Sequence, residues 1–284
     1  MGKKNKKNKK KNKNNILSWF NEQSKSIKIL ESGKIVFKKD EKVDITPYIE
    51  NSINNTRISR LEGIPTKEEI IIDSTENYRV NVSSNCSSVS RIVDLFGSIE
   101  TNEVQTIVVP TTKKKAVNAE DIDIIRWLGC SSTFAATYSK IKKNWVDLND
   151  EDNSAFTNVM YIPNLYIFLE KRGKLRKKPV MVNLLVVAFP SINKAKSGIE
   201  ATDEYEYTNR VITDTIDACI KCGCKSIVLE PYGMNALQND VHYTARYWYG
   251  KTETQRVIEN IKNITFSIDN DDLYVIFCKN KQQT

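Results

Sequence analysis

The stretch from Asn209 to Asn239 constrains the fold more than any other part of the chain. Between Asn209 and Cys222, apolar residues fall at Val211, Ile212, Ile216, Ala218, Cys219 and Ile220, a spacing that gathers them on one side of a helix. Gly223 follows as a C′ residue, able to take the left-handed angles that end helices. Ile227-Val-Leu229 is an apolar run of strand length, and it opens directly into Glu230-Pro-Tyr-Gly-Met-Asn-Ala-Leu-Gln-Asn239. With Gly233 and the small Ala236 in that turn, backbone N–H groups can approach an anion where a Cβ would stand in the way. Helix, glycine stop, strand and glycine turn form one αβ unit.

The rest of the chain repeats that grammar. Ile16 to Leu30 reads as a helix ended by Gly33, followed by strand-like Lys34 to Lys38 and Val43-Asp44-Ile45. A helix capped by Thr46, with Pro47 at its first position, carries Ile49 and Ile53. Residues 16–66 thus make a helical front module. Strands are expected at Glu69 to Asp73, Tyr78 to Val82 and Thr106 to Val109, with a short helix from Ser87 to Phe96. Thr111 to Asn118 reads as a polar connection. A helix from about Asp121 to Lys140 follows, which Ser131-Ser132-Thr133 either kinks or splits. Asn144 to Asn158 reads as a surface loop. Val159 to Ile162 and Leu165 to Phe168 read as two strands of a ribbon with a charged tip at Lys171 to Lys174. Val180 to Phe189 is the most apolar strand and belongs inside the sheet, and Pro190 to Tyr205 is a loop. Val241 to Ile261 reads as one helix, and Asp272 to Cys278 as the last strand. Buried strands alternating with helices predict an α/β fold, a mixed sheet flanked by helices on both faces.

Charge divides the chain. Residues 1–15 hold eight lysines between Lys3 and Lys13 and no acid, so the formal charge of +8 belongs to that tail and the remaining 35 basic and 35 acidic residues cancel. Without an apolar side chain before Ile16, residues 1–15 are expected to be a disordered basic tail, and 16–284 a single domain. Such a tail suits nucleic acid, an anionic surface or a nuclear address, or it simply keeps the chain soluble. No apolar run reaches the length of a membrane span and no apolar h-region follows the N-terminus, so the expected setting is intracellular, cytoplasmic or nuclear, with no membrane partner. Cys219-x-x-Cys222-x-Cys224 has zinc-like spacing but lacks a fourth ligand, since His242 is the one histidine and no second C-x-x-C occurs. No metal and no cofactor is expected. The same single histidine leaves little room for a Ser-His-Asp or Cys-His arrangement, and His242 reads as a surface or packing residue on the helix after the turn. Tyr243, Tyr247, Trp248 and Tyr249 either border a cleft and stack on a base or pack in the core.

Several segments match one family in order. Trp19 to Gly33, Val43-Asp44-Ile45 and the helix ending at Thr56-Arg57 match its leading helix, ribbon and "Thr-Arg" step. Val159-Met-Tyr-Ile-Pro-Asn-Leu-Tyr-Ile-Phe168 matches "V-I-Y-S-P-D-V-x-V-F", and Lys178 to Pro190 matches "K-P-x-x-V-D-V-I-x-x-A-A-P". Arg210 to Asn239 matches a long unit ending "L-V-L-G-A-W-G-C-G-A-F-x-N". In this order the chain resembles the macrodomain-like family known as the microbial-type poly(ADP-ribose) glycohydrolase catalytic domain. The resemblance implies a macrodomain-like sheet and an ADP-ribose cleft above it, built from two loops. In the second loop it implies ligand contacts at Tyr232, Gly233, Met234, Asn235, Ala236 and Asn239, although two family glycines are here Glu230 and Asn235. The first loop departs further. Where the family has "N-P-G-G-G", this chain has Thr111-Thr-Lys-Lys-Lys-Ala-Val-Asn118, so Lys113, Lys114 and Lys115 would meet phosphates as point charges, with Asn118 beside them. Setting Ala136-Thr137-Tyr138 on the family's "T-L-Y" puts Leu128 and Gly129 at its catalytic Glu-Glu pair. Glu120, Asp121 and Asp123 are the nearest acids, and all three also suit a solvated first helical turn. The expectation is therefore a degenerate ADP-ribose-binding protein or scaffold that has lost catalysis, a pseudoenzyme whose partner is ADP-ribose or an ADP-ribosylated protein. The competing expectations are an active ADP-ribosyl glycohydrolase with relocated acids, and a nucleic-acid-associated or assembly protein acting through its tail.

Overall fold

A computed structural model describes residues 34–36, 42–44, 46–61, 78–84, 104–118, 122–151, 156–169, 175–190, 204–234, 240–268 and 270–281. The expected tail at 1–15, helix Ile16 to Leu30, strand Glu69 to Asp73, helix Ser87 to Phe96 and charged tip Lys171 to Lys174 lie outside the described residues.

A two-stranded ribbon, β1 (Lys34–Val36) and β2 (Lys42–Asp44), precedes α1 (Thr46–Asn55). The main sheet contains β3 (Arg57–Arg60), β4 (Arg79–Ser84), β5 (Gln105–Thr112), β6 (Asn158–Leu169), β7 (Leu175–Phe189), β8 (Ser226–Leu229) and β9 (Asn263–Ile268). Its order is β3-β6-β7-β5-β8-β9-β4. From β7 through β5, β8 and β9 to β4 every neighbouring pair is parallel, while β6 runs antiparallel to both β3 and β7. Between the strands lie α2 (Lys113–Val117), α3 (Asp123–Ser131), α4 (Phe134–Glu151), α5 (Glu204–Lys221), α6 (Val241–Thr252), α7 (Gln255–Asn260) and α8 (Asp271–Asn280). The result is the expected α/β mixed sheet with helices on both faces.

Strand alternation sorts the core into two layers. On β7, Leu184, Val186 and Ala188 join one apolar cluster, whereas Leu185, Val187 and Phe189 join the other. The first layer is completed by Trp127, Leu128 and Trp145 of α3 and α4, the second by Ile212, Trp248 and Phe277 of α5, α6 and α8. This two-sided burial explains why interior strands read as unbroken apolar runs. Among the described residues, no helix is long and apolar enough to cross a membrane.

Several expected elements change. Val159 to Phe168 is one strand, not two; a bulge at Pro163-Asn164 interrupts its ladder, with Asn164 at φ 57°. Ser52 Oγ donates to the Asn164 carbonyl at 2.8 Å, and Asn183 Oδ1 accepts from the Asn164 N–H at 3.0 Å. The acidic stretch after Asn144 continues α4 as far as Glu151, because Trp145 is fully buried and its Nε1 donates to the Ala116 carbonyl at 2.9 Å. The Ser131-Ser132-Thr133 step splits two helices: Ser132 is extended at φ −141° and its hydroxyl accepts from the Phe134 N–H at 3.1 Å. Val241 to Ile261 is likewise two helices, broken at Glu253-Thr254. Asp272 to Cys278 is helical, and the final strand is β9.

Candidate functional site

Chain direction places the candidate cleft before any side chain is considered. β5 and β8 are parallel neighbours, with Val108 opposite Leu229, so the segments leaving both strands emerge at the same sheet edge. From there β5 leads through α2, α3 and α4 to β6 on one side, and β8 leads through α6 and α7 to β9 on the other. Adjacent parallel strands whose connections diverge create a crevice at their C-terminal ends, where ligands of open α/β sheets bind. The two loops singled out in the sequence begin at this point.

The β8 loop is held from below. Cys224 N–H donates to the Cys219 carbonyl and Gly223 N–H to the Ile220 carbonyl, both at 3.0 Å, with Gly223 at φ 73°. This paired C-terminal closure ends α5 and aims the chain into β8. Beyond Leu229, Glu230 is exposed while Pro231, Gly233 and Met234 are buried. The Tyr232 ring meets Phe189 edge-on at 5.0 Å, and the Tyr232 carbonyl accepts from Trp248 Nε1 at 3.1 Å. Gly233 stands at φ 88°, and a Cβ there would lie 3.1 Å from Thr208 Cγ2 and 3.3 Å from Thr244 Cγ2. Glycine is thus required both by backbone angle and by space. Asn235, Ala236 and Asn239 lie outside the described residues.

Two residues that the sequence reading did not assign to the site support this turn. Tyr207, in the first turns of α5, donates from its hydroxyl to the Pro190 carbonyl at 2.8 Å, and its hydroxyl also hydrogen-bonds that of Tyr232. Burial pushes both phenols above their ordinary range, so both stay protonated. Phe189, the last residue of β7, supplies the wall. Nothing in the sequence marked Tyr207, which falls just before the apolar spacing of the helix becomes visible.

The β5 segment is more ordered than a polar connection. The strand continues to Thr112, whose hydroxyl accepts from the Lys115 N–H at 3.4 Å, and Lys113 to Val117 form a helical turn. Lys113 is buried, whereas Lys114, Lys115 and Asn118 are exposed. Further on, Leu128 is completely buried and Gly129 sits within α3 with open space where a Cβ would stand. Asp123 is in the first turn of α3, its side chain 88% exposed and 3.4 Å from Arg126 Nη1. Glu120 and Asp121 lie outside the described residues.

Cys219 and Cys224 are buried, and Cys222 is half-buried at the helix end. Among the described residues no group of three His, Cys, Asp or Glu side chains is arranged to hold a metal ion. His242 is exposed at the start of α6, with Nδ1 3.1 Å from Asn280 Nδ2 of α8.

No known family model matches the chain, and no curated protein does. Solved structures do. The poly(ADP-ribose) glycohydrolase of Thermomonospora curvata superposes with a TM-score of 0.64 at 16% identity, over 93% of this chain and 99% of that one. The same enzyme bound to the inhibitor ADP-HPD gives 0.64 at 16% identity, over 92% and 98%. The Deinococcus radiodurans glycohydrolase in complex with ADP-ribose gives 0.55 at 14% identity, over 84% and 98%. The fold is that of bacterial poly(ADP-ribose) glycohydrolases. Nearly the whole length of each glycohydrolase is matched.

Proposed function

We propose that this chain binds an ADP-ribose group at the crevice where β5 and β8 end, and does not cleave it. The observation that carries the reading is at Leu128 and Gly129, the positions that the family register sets on its Glu-Glu pair. One is a core hydrocarbon with no exposed surface and the other has no side chain. Cleavage of a ribosyl bond passes through an oxocarbenium-like state and needs a carboxyl group at the leaving oxygen. Neither residue can donate a proton. Asp123 is turned to solvent beside Arg126, which removes one candidate for a relocated acid.

Retention of binding is supported from the other loop. Gly233 keeps the left-handed angle and close packing of a tight glycine turn at the end of β8, and Tyr232 is fixed by Phe189, Tyr207 and Trp248. Glu230, the substitution that would oppose a diphosphate, is exposed.

Calorimetric titration of the full chain with ADP-ribose tests the binding half, and incubation with an ADP-ribosylated protein tests the catalytic half. Micromolar binding without release of free ADP-ribose is expected. No heat at millimolar ligand would leave a scaffold, and release that disappears in Asp123→Asn would establish an enzyme with a displaced acid.

A further inference from the structure

The closure that ends α5 brings together cysteines that the ADP-ribose reading does not use. With Cys222 as the cap, Cys219 and Cys224 occupy the two positions whose side chains meet across this kind of helix end. The 3.0 Å bond from the Cys224 N–H to the Cys219 carbonyl holds their Cα atoms within about 7 Å, the outer limit of disulfide reach. Their side chains converge from there: the two thiols are hydrogen-bonded to each other, and the Cys224 sulfur is also hydrogen-bonded to Thr106 of β5. Neither cysteine is bridged.

The contact makes the two sulfurs unequal. The Cys219 thiol is pushed up because it donates to Cys224, and the same bond draws the Cys224 thiol down, with Thr106 adding to it against the effect of burial. Cys224 is therefore the nucleophilic sulfur, with a partner thiol already against it. Cys222 is half-buried, and burial pushes its thiol up to about 12, so it stays protonated and does not compete. Cys224 is buried, but Lys221, Gly223 and Lys225 around it are exposed. The pair thus lies just beneath the surface at a helix end, where local opening needs least energy.

We propose that Cys219 and Cys224 are a redox pair, which a hydroperoxide converts to a disulfide across the α5 to β8 closure and a thiol reductant restores. The Cys224 sulfur takes one oxygen of the hydroperoxide; the O–O bond breaks, and the other oxygen leaves as water or an alcohol with the thiol's proton. The Cys219 sulfur then displaces hydroxide from the Cys224 sulfenic acid, and its own proton completes a water. Two thiols lose two electrons and the peroxide gains them. The new bond ties α5 to β8, the strand that opens into the Gly233 turn, and the pair does not depend on the ADP-ribose reading.

The test is peptide mapping of the full chain after hydrogen peroxide, alkylation of the remaining thiols and trypsin. Cleavage after Arg210, Lys221 and Lys225 puts Cys219 in the peptide 211–221 and Cys224 in the peptide 222–225. The bond is expected as a linked pair of these peptides with Cys222 alkylated, and dithiothreitol before digestion is expected to separate them. Cys219→Ala is expected to abolish the link and leave Cys224 as a sulfenic or higher acid, and Cys222→Ala to keep the link. The parent alone decides the matter, so a variant that fails to fold does not close the test. The proposal is overturned if the two peptides stay separate at millimolar peroxide, if Cys222 rather than Cys224 carries the link, or if dithiothreitol does not release it.

Discussion

At Gly233 the backbone angle of φ 88° and the methyl groups of Thr208 and Thr244, 3.1 and 3.3 Å from a built Cβ, act against any side chain. Left-handed backbone costs an ordinary residue about 1–2 kcal/mol and crowding about as much again. Gly233→Ala should therefore destabilise by about 2–4 kcal/mol, read as a lower urea midpoint. Adding Thr244→Ser, which removes one of the two methyls, should recover part of the crowding cost and none of the backbone cost. Gly129 is the opposite case. It lies inside α3 with open space around a built Cβ, so Gly129→Ala should stabilise by about 1 kcal/mol, the helix-propensity difference. A denaturation midpoint that falls instead would mean that α3 needs glycine for a reason other than space. Sequence spacing located both glycines but could not rank them, because their difference lies in the Thr208 and Thr244 methyls, which belong to other helices. Tyr207 and Phe189 were illegible for the same reason: their hydrogen bond and ring contact to the Gly233 turn close only in three dimensions.

Elements were legible where one physical signal dominated. The α5 helix, its Gly223 stop, β8 and the turn were readable because apolar spacing, glycine chemistry and strand length agree there. They failed where two signals conflicted. Leu273-Tyr-Val-Ile-Phe277 is rich in residues that favour strands, yet the segment is helical. The Asn270 side chain accepts from the Asp272 and Leu273 N–H groups at 2.9 and 3.2 Å, and Asp271 and Asp272 occupy the first turn, where negative charge suits the helix dipole. Packing of Phe277 against Tyr249 and Phe266, at 4.7 and 4.8 Å, then fixes the helix on the sheet. If the cap decides the outcome, Asn270→Ala should cost about 1 kcal/mol and Asn270→Asp almost nothing, measured by thermal unfolding. Equal losses from both would show that the side-chain acceptor is not what holds α8. Mistaking this helix for a strand also hid β9, because the sheet then already had its last member.

Across the whole molecule, α5 ties distant parts of the chain together through two carboxylates. The Thr157 hydroxyl, just ahead of β6, donates to Asp214, and Arg210 Nε lies 3.8 Å from the same oxygen. Asp217 pairs with Arg256 of α7 at 2.9 Å. Burial raises both carboxyls above their ordinary value of 3.8 despite these partners. A carboxyl whose folded pKa is raised binds its proton more tightly in the native state than in the unfolded one. Its contribution to stability is fully present below the unfolded value and is lost as pH rises through the folded one. Both groups therefore tilt the stability curve downward as pH climbs above about 3.8, opposite to the trend produced by exposed, paired acids. Asp214→Asn keeps an oxygen for Thr157 to donate to and removes the titration. Chemical denaturation at a series of pH values should show this variant gaining on the parent as pH rises through that window, with a flatter slope. Thr157→Val should do the reverse: it leaves the Asp214 carboxylate without its hydroxyl donor, lowers stability by about 1–3 kcal/mol at neutral pH, and steepens the slope. Identical slopes in the parent and Asp214→Asn would mean that solvent reaches this carboxyl, and that α5 is held on the sheet by its apolar face alone.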